Sequence, residues 1–203
     1  KNVDLSTVAK FGNGAMSYTA IAKADLANAE YVGDFAFMDN ENLTEVTFGA
    51  LKFVGKYAFS DTRLVTVSLP ESFDNVNSVY IWEKIDEKGR VEKVRNRNVS
   101  AFGEGAFANI QTLTSIEASG SVIFSADGVL YAKEENGLVL LQYPAAKALD
   151  SYVVSDGTVA IAASAFEGVN SLGSITFPYT LKTIGSYAFY KSSVENYTFN
   201  SVE

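Results

Sequence analysis

The most regular feature of the chain is a short block of apolar and small residues that returns six times. In each block an apolar residue precedes a small residue, and Ala and then Phe or Met follow three and four positions after the small residue. Repetition at a fixed period is typical of solenoid proteins, in which each repeat forms one coil. The blocks begin at Phe11, Val32, Val54, Phe102, Ile161 and Ile184.

A second apolar cluster follows each block and alternates as a short strand does. Leu43, Val46 and Phe48 show this most plainly, and Thr47 separates the last two. Successive strand side chains point to opposite faces, so we expect one buried face and a solvent-facing row of polar residues. Within the block, apolar residues lie three and four positions apart, which indicates a brief helical, 3-10 or irregular segment. The pattern predicts an α/β repeat, a solenoid of about six coils.

The segments 172–178 (LGSITFP) and 181–190 (LKTIGSYAFY) resemble the BspA-like class of bacterial leucine-rich repeats, whose unit reads approximately LxxIGxxAFxxCxxLxxVxIP. The resemblance implies short concave strands and short convex segments. It also implies a secreted or cell-surface bacterial protein, with an outer-membrane anchor through a removed N-terminal leader as one route, that adheres to host proteins or other microbes. The family's Cys is missing, and Asn40, Ile110 and Val169 stand near its place.

Residues 1–203 are predicted to form one solenoid domain with insertions at 71–99 and 119–155. The small residues of successive blocks lie 21, 22, 48, 59 and 23 positions apart, so the regular period is broken twice. The first insertion reads as a β-hairpin, and the second as a three-stranded meander with Asp-Gly and Asn-Gly turns. Because both begin just after a strand, we expect them to emerge from the same edge of the solenoid.

The small residue and the Phe of the block have separate roles in packing. Ala162 replaces Gly in the fifth block, so this position requires small volume rather than a positive φ. The Phe is long enough to reach the centre of the coil and stack on the Phe of the next. We therefore expect Phe59→Ala or Phe107→Ala to unfold the array, and Thr66→Ala to have little effect.

Composition excludes several classes of function. A net charge of −8 and a pI near 4.6 argue against a nucleic-acid partner. The chain has no Cys and no His, no pairing of a nucleophile with a base and no phosphate-binding loop, so neither an enzyme nor a cofactor is predicted. Asp127, Glu134 and Glu135 lack the spacing of a calcium loop, and no metal site is predicted. No apolar run is long enough to span a membrane, and a start at Lys1 suggests either a mature chain or a trimmed segment.

The leading hypothesis is a non-enzymatic protein-interaction or adhesion module that recognises a host or microbial surface or matrix protein, or a glycan. The ligand would bind the solvent-facing strand positions and the inserted hairpins. The first hairpin is locally basic, with six Lys or Arg and four Asp or Glu between Glu83 and Arg97, and Trp82 could serve as its aromatic anchor. The predicted strand-face residues are Glu45, Thr47, Thr66, Ser68, Ser115, Glu117, Ser174, Thr176, Asn196 and Thr198.

Two other classes remain open. The chain could be a structural spacer or stalk that displays another domain, or a carbohydrate-binding module. Sugar recognition requires exposed aromatic side chains beside carboxamides, and the sequence suggests only Trp82 and tyrosines such as Tyr80. An exposed Trp82 next to other aromatic rings would favour binding, whereas a packed Trp82 would favour the spacer. The last coil has no polar cap, which predicts either a continuation of the chain or self-association through that edge.

Overall fold

The computed structural model describes residues 3–74, 80–85, 91–96 and 101–201, with backbone only for 74, 80–85 and 91–96. The described chain consists of short strands, turns and one four-residue 3-10 helix. In chain order the elements are β1 (Lys10–Phe11), β2 (Lys23–Leu26), β3 (Tyr31–Val32), β4 (Glu45–Phe48), β5 (Phe53–Val54), β6 (Thr66–Ser68), the 3-10 helix (Glu71–Asp74), β7 (Tyr80–Ile85), β8 (Val91–Asn96), β9 (Ser115–Glu117), β10 (Ile123–Ala126), β11 (Val129–Glu134), β12 (Gly137–Gln142), β13 (Ser151–Val153), β14 (Thr158–Ile161), β15 (Ser174–Phe177), β16 (Thr183–Ile184) and β17 (Asn196–Phe199).

The described residues form seven stacked turns of a solenoid, one more than the sequence pattern predicts. They span 11–26, 32–48, 54–69, 102–118, 140–154, 161–177 and 184–199. Parallel strands join the turns along two sides. One side, the short ladder, contains β1-β3-β5 and β12-β14-β16. The other, the strand face, contains β2-β4, β6-β9 and β13-β15-β17. Between the two sides, every turn except turn 5 has a seven-residue corner, and these six turns are called regular. Their corners are 12–18, 33–39, 55–61, 103–109, 162–168 and 185–191.

The predicted helical part of the α/β repeat is not present in the described residues, where the corners are irregular turns. The residue two before the core Phe or Met and the residue two after it both have left-handed backbone in every regular turn. Turn 2 shows this at Phe35, with φ of 58°, and at Asp39, with φ of 55°. A right-handed helix cannot continue through such residues, which explains why the three-and-four spacing produces no helix.

Small volume at the first corner position is confirmed as the packing requirement. Gly33, Gly55 and Gly185 do not have a positive φ, and a Cβ on any of them would lie within 2.8 Å of the backbone of the preceding turn. Ala162 is tolerated because the turn that precedes it, turn 5, has a shortened corner. The chain therefore has Gly at the first corner position wherever the preceding turn has a full seven-residue corner.

Aromatic side chains stack along the axis, as predicted from the repeat. Phe59 lies between Phe37 and Phe107, with ring centroids 5.1 and 5.4 Å apart and nearly parallel planes. A second stack joins Tyr143, Phe166 and Phe189, with centroids 5.0 and 4.8 Å apart. Every ring in both stacks except that of Phe189 is buried.

Turn 5 is the turn that the sequence pattern does not reveal. The Leu140 carbonyl accepts a hydrogen bond from Ala162 N–H at 2.9 Å, and Tyr143 N–H donates to the Ala165 carbonyl at 2.8 Å. These bonds match those made by the short-ladder residue and the core aromatic of the other turns, so Tyr143 takes the place of the core Phe. Only two residues separate Leu140 from Tyr143, against four in a regular block, so the GxxAF signature is lost.

The structure does not confirm 119–155 as an insertion separate from the solenoid. Strands β10, β11 and β12 pair antiparallel as a meander, but β12 also pairs in parallel with β14 as part of turn 5. Strand β11 separates two cores, because Leu130 packs with turns 1–4 whereas Val129 and Tyr131 pack with turns 5–7. Burial on both faces makes this segment a packing element.

The first insertion is described only in part. Strands β7 and β8 pair antiparallel, from Tyr80 opposite Asn96 to Ile85 opposite Val91. Before them, the 3-10 helix places Phe73 in the core of turns 1–4. How the hairpin meets the solenoid, and whether it shares an edge with any other element, lies outside the described residues.

We expect Tyr143→Phe to leave stability at pH 7 unchanged or slightly increased. The Tyr143 hydroxyl is buried and has no hydrogen-bond partner among the described residues, so its removal exposes no orphaned group. Burial raises the pKa of Tyr143 to about 12. The unfolded phenol ionises near pH 10, so the folded state loses stability as pH rises from there through 12, and the variant should avoid about 1.4 kcal/mol of that loss at pH 11.

Urea denaturation of the wild type and of Tyr143→Phe at pH 7 and pH 11 measures both effects. Tyr31 and Tyr152 also have raised pKa values through burial, and they are present in both proteins. A loss of more than about 1 kcal/mol in the variant at pH 7 would show that the hydroxyl makes a stabilising contact.

Candidate interaction surface

The predicted strand-face residues lie on β4, β6, β9, β15 and β17. Ser115, Ser174 and Thr176 are half-buried, and the others are exposed. Between each pair on β6 and β9 lies a buried residue, Val67 or Ile116, so the alternation of the pattern is present in the structure. Their role in binding stays a prediction. The exposed members are Glu45, Thr47, Thr66, Ser68, Glu117, Asn196 and Thr198.

The strand face is divided into three patches rather than forming one continuous array. Strands β4 and β6 do not form a ladder, and turn 3 has one residue fewer than turn 2 between the core Phe and the middle strand residue. Between β9 and β13 the end of the β10–β11 hairpin intervenes, where Gly128 O accepts from Ile116 N–H at 2.9 Å. A ligand on this face would therefore contact one patch, or bridge a break.

The first patch, on β2 and β4, carries charged side chains, and the second, on β6 and β9, is partly covered by the β10–β11 turn. On β2 and β4, Lys23 Nζ lies 2.5 Å from Glu45 Oε2, and both side chains are largely exposed, so the pair contributes about 0–1 kcal/mol. On β9 the Ser115 hydroxyl donates to the Glu117 carboxylate. A Cβ on Gly128 would lie 2.7 Å from Ser115 Oγ, which shows how closely the β10–β11 turn covers that residue.

The third patch is uncharged and consists of β13, β15 and β17 in parallel register. Ser151 lies beside Ser174 and then Asn196, and Val153 lies beside Thr176 and then Thr198. Val153 is 68% exposed, although it is apolar. Ser151 and Val153 were missed because they were assigned to the second insertion; the alternation of Tyr152 and Val154, both buried, is the signal that could have placed them.

Trp82 lies on β7, opposite Val94 of β8. Its side chain is outside the described part of the structure, so neither its exposure nor its aromatic neighbours can decide between binding and spacer. The basic hairpin therefore stays a prediction.

A row of aromatic side chains on the corners was not anticipated. The third corner position, two before the core Phe or Met, has φ between 49° and 64° in all six regular turns. Bulky residues rarely adopt such backbone, yet Phe35, Tyr57 and Tyr187 occupy it, and Phe35 and Tyr187 are exposed. An aromatic residue at the second x of GxxAF is the sequence signal. The six residues are Gly14, Phe35, Tyr57, Gly105, Ser164 and Tyr187.

Tyr57 links turn 3 to turn 6 across this row. Its hydroxyl donates to Glu167 Oε2 at 3.0 Å and lies 2.8 Å from Ser164 Oγ, which then acts as the donor to the phenol oxygen. Gly105 leaves room for the ring, because a Cβ there would lie 2.7 Å from Tyr57 Cε1. Burial raises the pKa of Tyr57, so the phenol keeps its proton at neutral pH.

The described side chains offer no arrangement for metal chemistry. No group of three or more His, Cys, Asp or Glu in this part of the chain could hold a metal ion. Of the three carboxylates considered above, Asp127 pairs with Lys147 at 3.0 Å, and Glu134 and Glu135 are exposed beside the β11–β12 turn. Within the same residues, no helix has the length and apolar character needed to cross a bilayer.

The repeat pattern matches the family model for the BspA type leucine-rich repeat region, in six copies, over residues 1–85 and 144–203. The chain belongs to this family. The predicted resemblance is thereby confirmed, and the short ladder, corner and strand face described above are the structure of its BspA-type repeats. No curated protein matches the chain.

Several solved structures share this fold. A leucine-rich cell surface protein from Faecalibacterium prausnitzii A2-165 is 20% identical with a TM-score of 0.77, and the match covers 96% of this chain and 46% of that protein. The pneumococcal vaccine antigen PcpA is 23% identical with a TM-score of 0.71, and the match covers 96% of this chain and 43% of PcpA. A leucine-rich repeat protein from Eubacterium ventriosum is 16% identical with a TM-score of 0.55, and the match covers 95% of this chain and 58% of that protein. The chain spans about half the length of these proteins.

The last BspA-type turn leaves apolar side chains exposed at its outer edge. Ile184 of β16 and Tyr197 and Phe199 of β17 are all exposed, and the two strands end their ladders. Exposed apolar residues at a ladder end are suited to pairing with another strand. Self-association through this edge stays a prediction.

Proposed function

We propose that this BspA-type solenoid is a non-enzymatic interaction module of a bacterial surface or secreted protein, and that it adheres to a macromolecular ligand through its strand face. The ligand would be a host or microbial surface or matrix protein. The neighbour from Faecalibacterium prausnitzii is a cell surface protein, which is consistent with this location.

The third patch is the observation that carries the proposal. It presents hydroxyl and amide side chains and one exposed apolar residue, Val153, on three strands in parallel register. An uncharged surface of this kind has a smaller desolvation cost on contact with a protein than a charged one, and Ser, Thr and Asn can adapt their hydrogen bonds to a partner. Because the backbone beneath is hydrogen-bonded from turn to turn, little conformational entropy is lost on binding.

The arrangement favours contact over chemistry. The outward side chains of the third patch are Ser, Thr, Asn and Val, none of which acts as a general base, and the described residues contain no group of three or more His, Cys, Asp or Glu that could hold a metal ion. A structural spacer is the alternative, and the two differ in what surface substitutions do. A spacer tolerates any exposed substitution, whereas an adhesive surface loses its ligand when its centre changes.

We expect Thr176→Arg, at the centre of β15, to reduce ligand capture at least tenfold. A long charged side chain placed between Val153 and Thr198 would hold a flat partner away from the patch and would leave a buried charge in the complex. The measurement is capture of the wild type and the variant on an array of immobilised matrix proteins and glycans, with circular dichroism as the test of folding.

Ser186→Arg is the matched control, because Ser186 is exposed on the corner of turn 7, away from the strand face. Its capture should equal that of the wild type. If Thr176→Arg captured as much ligand as Ser186→Arg and the wild type, the third patch would not be the binding surface. If the wild type captured no ligand, the spacer would be favoured. Trp82→Ala and deletion of 79–97 test the hairpin in the same assay, and a loss confined to them would move the site there.

A further inference from the structure

The tight turn between β11 and β12 contains an Asn–Gly pair, and we propose that Asn136 is a site of spontaneous deamidation in the folded protein. The Gly137 backbone nitrogen loses its proton and attacks Cγ of Asn136, and the side-chain nitrogen takes up a proton and leaves as ammonia. The product is a five-membered succinimide ring. Water then opens the ring at one of its two carbonyls and gives aspartate or isoaspartate, so water is the one co-reactant. The site does not depend on the proposed adhesion.

The fold requires glycine at the position that makes the attack. Gly137 has a φ of 139°, which residues with a side chain rarely adopt. A Cβ there would lie 2.6 Å from the Gly157 carbonyl oxygen and 2.7 Å from Val159 Cγ1. Because glycine has no Cβ, its nitrogen is also the least hindered backbone nucleophile. The packing of this turn therefore places the most reactive neighbour directly after Asn136.

The Asn136 side chain is not held by the structure. Asn136 is exposed, and its side chain makes no hydrogen bond to any residue in the described part of the chain. The pair between Glu134 and Gly137 closes the β11–β12 ladder at its outer end. The end of a ladder opens locally at a much lower free energy than its middle. A brief opening at this tip is therefore enough to bring the Gly137 nitrogen to Asn136 Cγ.

The second Asn–Gly pair of the described chain, Asn13–Gly14, is held on both sides of the reaction. Asn13 Oδ1 accepts a hydrogen bond from Asp34 N–H at 3.0 Å, which fixes the side chain that would be attacked. Gly14 N–H donates to the Asp34 carbonyl at 2.8 Å, which holds the attacking nitrogen. Attack would have to break both bonds between turn 1 and turn 2. The same dipeptide is thus protected in one turn and unprotected in the other.

Deamidation would change both the charge and the backbone of the turn. Either product adds a negative charge beside Glu134 and Glu135. Isoaspartate also carries the main chain through its β-carbon, which lengthens the turn by one atom. Gly137 packs closely on Gly157, and Leu138 N–H donates to the Gly157 carbonyl at 2.9 Å. We therefore expect isoaspartate at 136 to loosen the contact between β12 and the residues that precede β14.

Peptide mapping of the whole chain tests the site, because trypsin releases each pair on a separate peptide. Peptides 11–23 and 134–147 each contain a single Asn. After incubation of the native protein at pH 8, mass spectrometry should find the mass increase of deamidation at Asn136 at least about tenfold faster than at Asn13. In denaturing urea the two rates should become similar, because the hydrogen bonds that protect Asn13 are lost.

Asn136→Ser is the matched control, because it removes the side-chain amide and keeps Gly137. Its peptide 134–147 should show no mass increase over the same period. Equal rates at Asn13 and Asn136 in the native protein would overturn the proposal, as would an unchanged mass increase in Asn136→Ser. A difference between the two sites that persists in urea would also overturn it, since the folded structure would then not be its cause.

Freshly prepared Asn136→Asp separates the effect of charge from that of the backbone. It carries the added charge with a main chain of normal length. The isoaspartate fraction of the aged wild type should unfold at a lower temperature than this variant. Equal unfolding temperatures would overturn the inferred loosening of the turn.

Discussion

Phe59→Ala should lower the free energy of unfolding by about 3–5 kcal/mol. Phe59 is fully buried, stacks on Phe37 and Phe107, and meets Phe48 edge-on at 5.6 Å. The truncation removes the ring from the middle of the stack in turns 2–4, and the neighbouring rings are held in place by their own turns. The cavity can therefore collapse only partly. Urea denaturation followed by far-UV circular dichroism measures the loss.

Phe199→Ala is the chemically matched control, because its ring is 61% exposed on the last strand. It should cost less than about 1 kcal/mol, as should Thr66→Ala on the strand face. Similar losses from the buried and the exposed substitutions would mean that the aromatic stack does not hold the turns together.

Gly55→Ala should cost about 3 kcal/mol, although it adds a single methyl group. The new Cβ would lie 2.5 Å from the backbone atoms Asp34 N and Gly33 C of turn 2. Backbone cannot move aside as a flexible side chain can, so turns 2 and 3 must separate at the corner. That separation stretches the bonds from Gly55 N–H to Val32 O and from Phe35 N–H to Lys56 O, both 2.8 Å long. Thermal unfolding should show the loss as a lower midpoint.

Gly12→Ala provides the comparison at the same repeat position. No atom lies within 4 Å of its Cβ, since no full corner precedes turn 1 in the described structure. The substitution should change stability by less than about 0.5 kcal/mol. If Gly12→Ala and Gly55→Ala were equally harmful, backbone conformation rather than contact between turns would be the reason for Gly.

Most of the fold follows from two periodicities in the sequence. The spacing of Gly and Phe in GxxAF sets the turn, and the alternation around Val46 or Ile175 sets the strand face. Both signals depend on local contacts that every regular turn repeats, so they can be read from one chain. The stacking of Phe37, Phe59 and Phe107 could be predicted for the same reason.

Turn 5 and the corners could not be predicted in this way. Turn 5 lacks two corner residues and has Tyr143 in place of Phe, so it has no periodic signature, and only its hydrogen bonds to turn 6 reveal it. The absence of helix from the described corners depends on backbone angles at positions such as Phe35 and Tyr57, whose residue types do not favour left-handed conformation.

The candidate site was predicted in outline. Alternation identified which polar residues face outward, but the breaks between patches depend on a one-residue difference in turn 3 and on the packing of the β10–β11 hairpin. The stacking of Phe35 on Tyr57 depends on which residues occupy the same corner position in adjacent turns. That information becomes visible only when the turns are stacked in space.

The short corner of turn 5 has a mechanical consequence. Because two residues are missing there, the corner of turn 4 meets that of turn 6 directly: Asn109 N–H donates to the Glu167 carbonyl at 3.2 Å, and Gln111 Nε2 to the Gly168 carbonyl at 2.7 Å. Under tension along the axis, bonds between neighbouring turns would break in series. The bonds between turn 4 and turn 6 act in parallel with those that turn 5 makes to its two neighbours. They therefore carry part of the force and stabilise the least regular turn.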